Sequence, residues 1–328
     1  MASKTPHAVS DDRIRIGVSA CLLGHEVRFD GSHKRDAFLT DIFARFVEWV
    51  PVCPEVEIGM GIPRESVRLE QDVRGLHLVA PKTGRDWTLP MRSFAARRVR
   101  ALSALDLSGY VLKKDSPSCG MERVRVYAHQ ERSVTPRREG RGFFAHALIA
   151  ANPILPVEEE GRLWDPRLRE NFVARVFAYR RLRAFFGGRW TLAGIVAFHT
   201  SHKLTLLAHS PEAYQRLGRL IASAKGIPRM ELRARYEMEF MGAFSKLATI
   251  RRHTNVLEHI VGHFKKRLDA SSRAELVGLI GEYRRGLVPL IVPITLIRHH
   301  VRLHRMSYLE GQIYLDPHPK ELMLRNHI

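Results

Sequence analysis

Hydrophobic and polar positions alternate with two different rhythms along this chain. In the first half, short apolar runs bounded by turn residues take turns with stretches of helical spacing. "RIRIGVSA", Arg13 to Ala20, reads as a strand running into a turn. "FLTDIFARFVEW" carries Phe38, Leu39, Ile42, Phe43, Phe46 and Val47 at helical spacing, and "VPVCPEVEIGMGIP" is a short strand followed by a Gly/Pro loop. "VRLEQDVRGLHLVAP" predicts a strand pair, "TLPMRSFAARRVRALSAL" an amphipathic helix, and "LSGYVLKKDSPSCG" another strand and turn. "GRGFFAHALIAANPILPVEEEGRLWDP" predicts a helix and then a short strand with an acidic cluster, Glu158 to Glu160. Such alternation predicts an open, mostly parallel α/β sheet of the Rossmann-like kind over residues 1–160. Beyond about residue 165 every long segment has helical period, and Ser210 before Pro211 has the chemistry of an N-cap. Residues 161–328 are therefore expected to form an all-α domain, with the boundary near "VEEEGRLWDP" and no internal repeat.

Composition leaves this picture intact; charge changes it. The 328 residues suffice for two cores, and 45% hydrophobic with 27% charged residues is ordinary for a globular protein. The net charge of +19 is not ordinary and calls for an anionic partner, most simply nucleic acid. Residues 1–160 hold 24 Lys and Arg against 21 Asp and Glu, whereas residues 161–328 hold 29 against 13, so the excess sits in the helical half. Lys203, Arg251, Arg252, Lys265, Lys266 and Arg267 are candidate contacts to an RNA backbone there. The first residues lack a basic-then-apolar export pattern. The longest apolar candidate, "GLVPLIVPITLI", falls short of the ~18 residues a membrane span needs. The expectation is a cytoplasmic protein without a membrane partner.

The three cysteines add candidate chemistry. Cys21, Cys53 and Cys119 form no CxxC pair and are odd in number, which argues against a disulfide framework. Each lies at or just past the carboxyl end of a predicted strand, and in a parallel sheet those ends share one edge, where open α/β folds bind ligands. Three convergent thiolates can hold zinc, with His25 or His33 as a fourth ligand, or three irons of a cubane whose fourth iron stays open. Lys113, Lys114 and the N–H groups of the turn can offset thiolate charge. Spacing alone leaves zinc, a cluster and no metal open. In the helical half, His199, His202 and Lys203 lie within one turn and His259 and His263 stand four apart. Without an HExxH pattern these read as phosphate or base contacts or as core groups.

"VSACLLG…VRFDG", "VPVCPEVEIGMGIPRE" and "VLKKDSPSCG" resemble the three motifs of the thiouracil desulfidase family, which strips sulfur from thiolated pyrimidines. The resemblance covers roughly residues 13–160. The second half, through "FHTSHKLTLLAHS", "NVLEHIVGHFKK" and "PLIVPITLIRHHVRLH", is similar to the α-helical domain often fused to that module. The fused proteins resemble enzymes that desulfurate 4-thiouridine in tRNA. The resemblance implies that Cys21, Cys53 and Cys119 bind a [4Fe–4S] cluster whose fourth iron takes the substrate sulfur, and that Glu55 and Ser116 are the acid–base residues. It implies a non-redox conversion of 4-thiouridine in tRNA to uridine with release of sulfide. Two rivals stand beside it: a desulfidase for free thiouracil or thionucleosides, and a non-enzymatic RNA-binding or repair-partner protein with a structural metal site. Oligomeric state is not readable.

Overall fold

A computed structural model describes residues 14–128 and 135–327. The predicted first strand begins at Ile14; Arg13 and the N-terminal stretch read for export signals lie outside the described residues. The chain divides into two compact units at Gly161 and Arg162.

The first unit is built on a four-stranded, wholly parallel sheet. Strands β1 (Ile14–Ser19) and β2 (Val47–Val52) pair in parallel over their whole lengths. On the other side of β1 lies β5 (Gly109–Leu112), and outside that β8 (Val157–Glu159), giving the order β2-β1-β5-β8. Ile16 and Val18 of β1 and Tyr110, Val111 and Leu112 of β5 are fully buried, as the central strands of a covered parallel sheet must be. Helices α2 (Thr88–Ser103) and α3 (Phe143–Ala151) pack against each other, with Phe94 and Tyr110 both close to Phe144. The open, mostly parallel sheet expected from the sequence is thus the fold observed.

A second sheet was not anticipated. The predicted strand pair is present as the antiparallel hairpin β3 (Arg68–Asp72) and β4 (Gly75–Val79). It is extended by β6 (Val124–Ala128), parallel to β3, and by β7 (Arg137–Gly140), antiparallel to β6. The sequence of β7, "RREG", has no apolar alternation because its first three residues are exposed, so periodicity could not mark it. The helical reading of residues 38–47 also needs correction. Phe38–Ile42 winds as a π-turn and Phe43–Arg45 as a 3₁₀ turn, and β2 begins at Val47. The apolar spacing instead stacks Phe38 on Phe43, with Phe38, Leu39 and Phe43 buried.

The second unit is mostly helical. Its long helices are α4 (Pro166–Gly187), α5 (Leu192–His209), α6 (Pro211–Ala222), α7 (Arg229–Phe244), α8 (Ile250–His263), α9 (Ala270–Arg284) and α10 (Ile291–Leu303). Side-chain oxygens cap five of them: Asp165 on α4, Thr191 on α5, Ser210 on α6, Thr249 on α8 and Asp269 on α9. Ser210 accepts from Ala213 N–H and donates to Glu212, as its position before Pro211 predicts.

Buried histidines give this unit a pH dependence. His199, beside the Tyr236 hydroxyl, and His209, against the Lys246 carbonyl, are buried in aromatic surroundings. Burial, aided at His199 by the Lys203 charge, lowers each from the ordinary 6.5 to about 4. Folded-state affinity for the proton is thus depressed, so the stabilisation is present above the unfolded value and is lost as pH falls from 6.5 toward 4. Each histidine contributes on the order of 3 kcal/mol across that window. The melting temperature of the full chain is expected to fall steeply over this range, and less steeply for His209→Gln.

Candidate active site

The parallel sheet brings the three thiols to one edge. Strand β1 ends at Ser19, and Cys21 follows in a buried 3₁₀ turn over Ala20–Leu23. Strand β2 ends at Val52, and Cys53 is the N-cap of the short helix α1 (Pro54–Glu57). Strand β5 ends at Leu112, and Cys119 lies in the turn beyond it. Because these strands are neighbours in the order β2-β1-β5, their carboxyl ends are adjacent, and all three cysteines line one cavity of about 360 Å³. Glu55 and Ser116 line the same cavity, together with Arg28, Phe29, Arg64 and Lys113. The second unit has a cavity of about 120 Å³ lined by the buried Arg325–Glu170 pair, 3.2 Å apart, and another of about 550 Å³ beside Arg298 and Asp316, neither of them lined by a thiol.

The Cys119 turn is fixed by backbone. Ser116 Oγ accepts from Cys119 N–H at 3.0 Å and from Ser118 N–H at 3.2 Å. The carbonyl of Ser118 accepts from Phe144 and Ala145 at the start of α3, and the Gly120 carbonyl from Gly142 N–H at 2.8 Å. Gly142 is required there, since a Cβ would sit 2.5 Å from the Ser118 carbonyl. A second turn lies at the other rim: Gly31, with φ of 76°, follows Asp30, whose carboxylate accepts from Ser32 N–H.

Burial disfavours ionisation of all three sulfurs. Burial pushes Cys21 up to about 11, Lys113 and Arg28 pulling the other way and Cys53 and Glu160 adding to the rise. Burial also raises Cys53, and raises Cys119 well above the ordinary thiol range, where Cys53 and Cys21 add to the effect. Cys21 thus senses Cys53, and Cys119 senses Cys53 and Cys21, as potential charges, while the charge that raises Cys53 is that of Glu55. Lys113 is tied to Glu160, and Lys114 N–H donates to the other oxygen of that carboxylate at 2.7 Å. This explains the acidic cluster: Glu158, Glu159 and Glu160 are all buried beside the thiol edge. Among the described residues no three His, Cys, Asp or Glu side chains close on a single point as one ion requires. His33 Nδ1 accepts from Arg35 N–H instead, and neither His25 nor His33 lines the cavity. Three thiols lining one cavity are a soft donor set of the kind that iron–sulfur clusters and zinc both take.

Two residues at this site escaped the sequence reading. The serine that touches Glu55 is Ser118, whose hydroxyl donates to Glu55 Oε1 at 2.9 Å. Arg64, whose side chain is 4% exposed, pairs with Oε2 of the same carboxylate. The "SPSC" spacing offered Ser118 no less than Ser116, but nothing in it separates the two. Arg64 arrives through a loop whose path no periodicity records.

Of the candidate RNA contacts, Arg252 is half-buried and also has a structural part. Its guanidinium donates to the carbonyls of His209 at 2.9 Å and Leu247 at 3.2 Å, holding the end of α5 to α8. Arg251, Lys265, Lys266 and Arg267 are exposed, and Lys203 is half-buried on α5. Arg251 opens α8 and Lys265–Arg267 follow its end, so a helix length of about 20 Å separates them. His259 and His263 stand with ring centres 5.4 Å apart, and His263 lies against Tyr308.

Residues 16–160 match the model of the 2-thiouracil desulfurase family, and residues 203–319 that of a family described only as a protein of unknown function (DUF1722). The chain belongs to the 2-thiouracil desulfurase family. It carries the DUF1722 region as its second part. It is 32% identical over 161 residues to the uncharacterized protein YbgA of Escherichia coli strain K12, covering 49% of this chain and 95% of that one. It is 31% identical over 108 residues to the uncharacterized protein YbbK of Bacillus subtilis strain 168, covering 31% of this chain and 71% of that one. A solved structure titled [4Fe-4S]-dependent thiouracil desulfidase TudS aligns at 28% identity and a TM-score of 0.40, covering 49% of this chain and 99% of that chain. Among the described residues no helix is long and apolar enough to cross a membrane.

Proposed function

We propose that this chain is a [4Fe–4S]-dependent, non-redox desulfidase that converts 4-thiouridine in tRNA to uridine and releases sulfide. The observation that carries the reading is the convergence of Cys21, Cys53 and Cys119 with Glu55 on one cavity at the sheet edge of a 2-thiouracil desulfurase family member. Cys21, Cys53 and Cys119 would hold the cluster; when bound, it supplies a Lewis-acidic iron that accepts the charge of the departing sulfur. Burial of the thiols in the absence of a cation disfavours their ionisation, so loading releases protons, and Lys113 and Arg28 offset the resulting negative charge at Cys21.

The remaining chemistry belongs to protein side chains. Water adds to the thiocarbonyl carbon and the C–S bond breaks, so the balance is thiouridine plus water to uridine plus hydrogen sulfide. Glu55 takes a proton from the attacking water. Ser116 Oγ already accepts two backbone N–H groups, which leaves its hydroxyl proton as the group it can offer; it acts as a donor toward the ring or the leaving sulfur. Exposed Phe29 at the rim of the cavity presents an aromatic face to a planar pyrimidine.

Support for tRNA as the carrier of the base is electrostatic. The helical half holds 29 basic against 13 acidic residues, and Arg251, Lys265, Lys266 and Arg267 leave their charges in solvent. The target base must also be turned out of the folded RNA to reach the cavity. The test is incubation of loaded protein with bulk tRNA, followed by nucleoside analysis. Loss of 4-thiouridine with gain of uridine and sulfide is the expected result. Activity on free thiouracil with none on tRNA would favour the small-molecule reading, and none on either would end the desulfidase assignment. The triple variant Lys265→Ala/Lys266→Ala/Arg267→Ala is expected to weaken tRNA binding and to lower the log–log salt slope by about 2–3, measured by filter binding across ionic strength.

A further inference from the structure

Arg64 sits at the centre of the proposed site yet has no assigned part in it. Its guanidinium is nearly fully buried, and its hydrogen bonds leave little for a substrate. Nε donates to Glu55 Oε2 at 3.1 Å and Nη2 to the same oxygen, while Nη2 also reaches the Val27 carbonyl at 3.0 Å and Nη1 the Gly61 carbonyl at 3.1 Å. Its backbone N–H donates to the Phe29 carbonyl at 2.8 Å. One residue thus ties the loop after Cys21 to the loop after Cys53. Ser118, 0% exposed, ties the same carboxylate to the loop of Cys119.

The geometry points to Arg64 and Ser118 as positioning residues that together aim Glu55 and select which of its oxygens takes the proton; this rests on the desulfidase reading above. The usual side-on Arg–carboxylate pair engages both oxygens. Here both Arg64 donors fall on Oε2, which fills that oxygen's two acceptor directions. Among the described residues Oε1 accepts the Ser118 hydroxyl alone and keeps one lone pair. Oε1 is therefore the atom that receives the proton from the attacking water, with Ser118 fixing the carboxylate's rotation about its own axis. Arg64 holds the other oxygen to a rigid frame built from the Val27 and Gly61 carbonyls. None of these contacts is made by Ser116, whose acceptor capacity is spent on the turn.

The test uses the full-length, cofactor-loaded protein with thiouracil and with tRNA, and the variants Arg64→Met, Arg64→Lys and Ser118→Ala. Arg64→Met is expected to lower kcat about 10- to 100-fold, with KM nearly unchanged and the brown absorbance of the loaded protein retained. Arg64→Lys is expected to recover part of that loss. Because Glu55 is the residue acted upon, Arg64→Met should cost much less in a Glu55→Gln background, measured in single turnovers. A crystal structure of Arg64→Met is expected to show the Glu55 carboxylate without a single ordered position while its backbone stays in place. Should Arg64→Met fail to fold or load, Ser118→Ala carries the same cycle against Glu55→Gln. A kcat equal to wild type in both positioning variants, full additivity with Glu55→Gln, or an unmoved Glu55 carboxylate in the Arg64→Met crystal overturns the inference. Full activity of Glu55→Gln itself, or an inactive wild type, instead overturns the reading beneath it.

Discussion

Cys53→Ala is expected to yield a folded but colourless protein that releases no measurable sulfide from thiouracil or tRNA. Cys53 is the least buried of the three thiols, and its Sγ makes one weak contact, 3.7 Å to the Val27 carbonyl. Its replacement by alanine leaves α1, the β2 register and the buried sheet core intact, so circular dichroism is expected to match wild type. The cofactor consequence is larger. A cubane normally takes four thiolates; this chain has three cysteines in all, and two cannot hold one at an exposed edge. On the proposed reading this also removes the Lewis acid that takes up sulfide's charge, and a fall of at least ~10³-fold in rate, about 4 kcal/mol, is expected. Anaerobic reconstitution followed by absorbance and iron analysis checks the first half of this, and sulfide assay the second. A Cys53→Ala protein as brown as wild type, or a colourless wild type carrying one zinc, would sink the cluster.

What the chain discloses in one dimension and what it hides follow from the same physics. The convergence of Cys21, Cys53 and Cys119 was readable because strand ends are marked by periodicity, and a parallel sheet places such ends on one edge. The helix caps at Ser210 and the charge division between the halves were readable for the same local reasons. The clamp on Glu55 was not. Arg64 lies nine residues on, past the turn glycines Gly59 and Gly61, and only the path of that loop returns its guanidinium to Oε2. Ser118 and Ser116 are two residues apart in the same turn, and backbone N–H geometry, invisible in sequence, decides which hydroxyl serves the turn and which serves the carboxylate. Arg252 shows another limit of sequence: its bonds to two carbonyls, at the end of α5 and in the approach to α8, give it a structural part that a basic residue in a basic domain does not disclose. Strand β7 stayed hidden because an edge strand with a solvated face needs no apolar pattern.

Glu55→Gln should separate binding of the cofactor from use of it. The amide is nearly isosteric with the carboxylate, so the Cys53 N-cap and the cavity lining persist, and the brown absorbance is expected to match wild type. The rate is not. An amide oxygen cannot take a proton from water at neutral pH, and loss of a positioned base costs typically 10²–10⁴-fold. Sulfide release is expected to fall within that range, with KM little changed, since Phe29 and the cationic rim remain. A second consequence is structural. Arg64, buried and paired with Glu55, loses its counter-charge, and an uncompensated buried guanidinium destabilises a fold. The melting temperature of Glu55→Gln is therefore expected to fall by several degrees, and Glu55→Gln/Arg64→Met to recover part of that fall because the orphaned charge is gone. Ser116→Ala removes a turn acceptor and a proton donor but no charge, so its rate is expected to fall while Arg64→Met brings it no recovery of melting temperature. If Glu55→Gln retains both colour and rate, the carboxylate serves only as a counter-ion that packs Arg64 into the site, and proton transfer from water must be assigned elsewhere in the cavity.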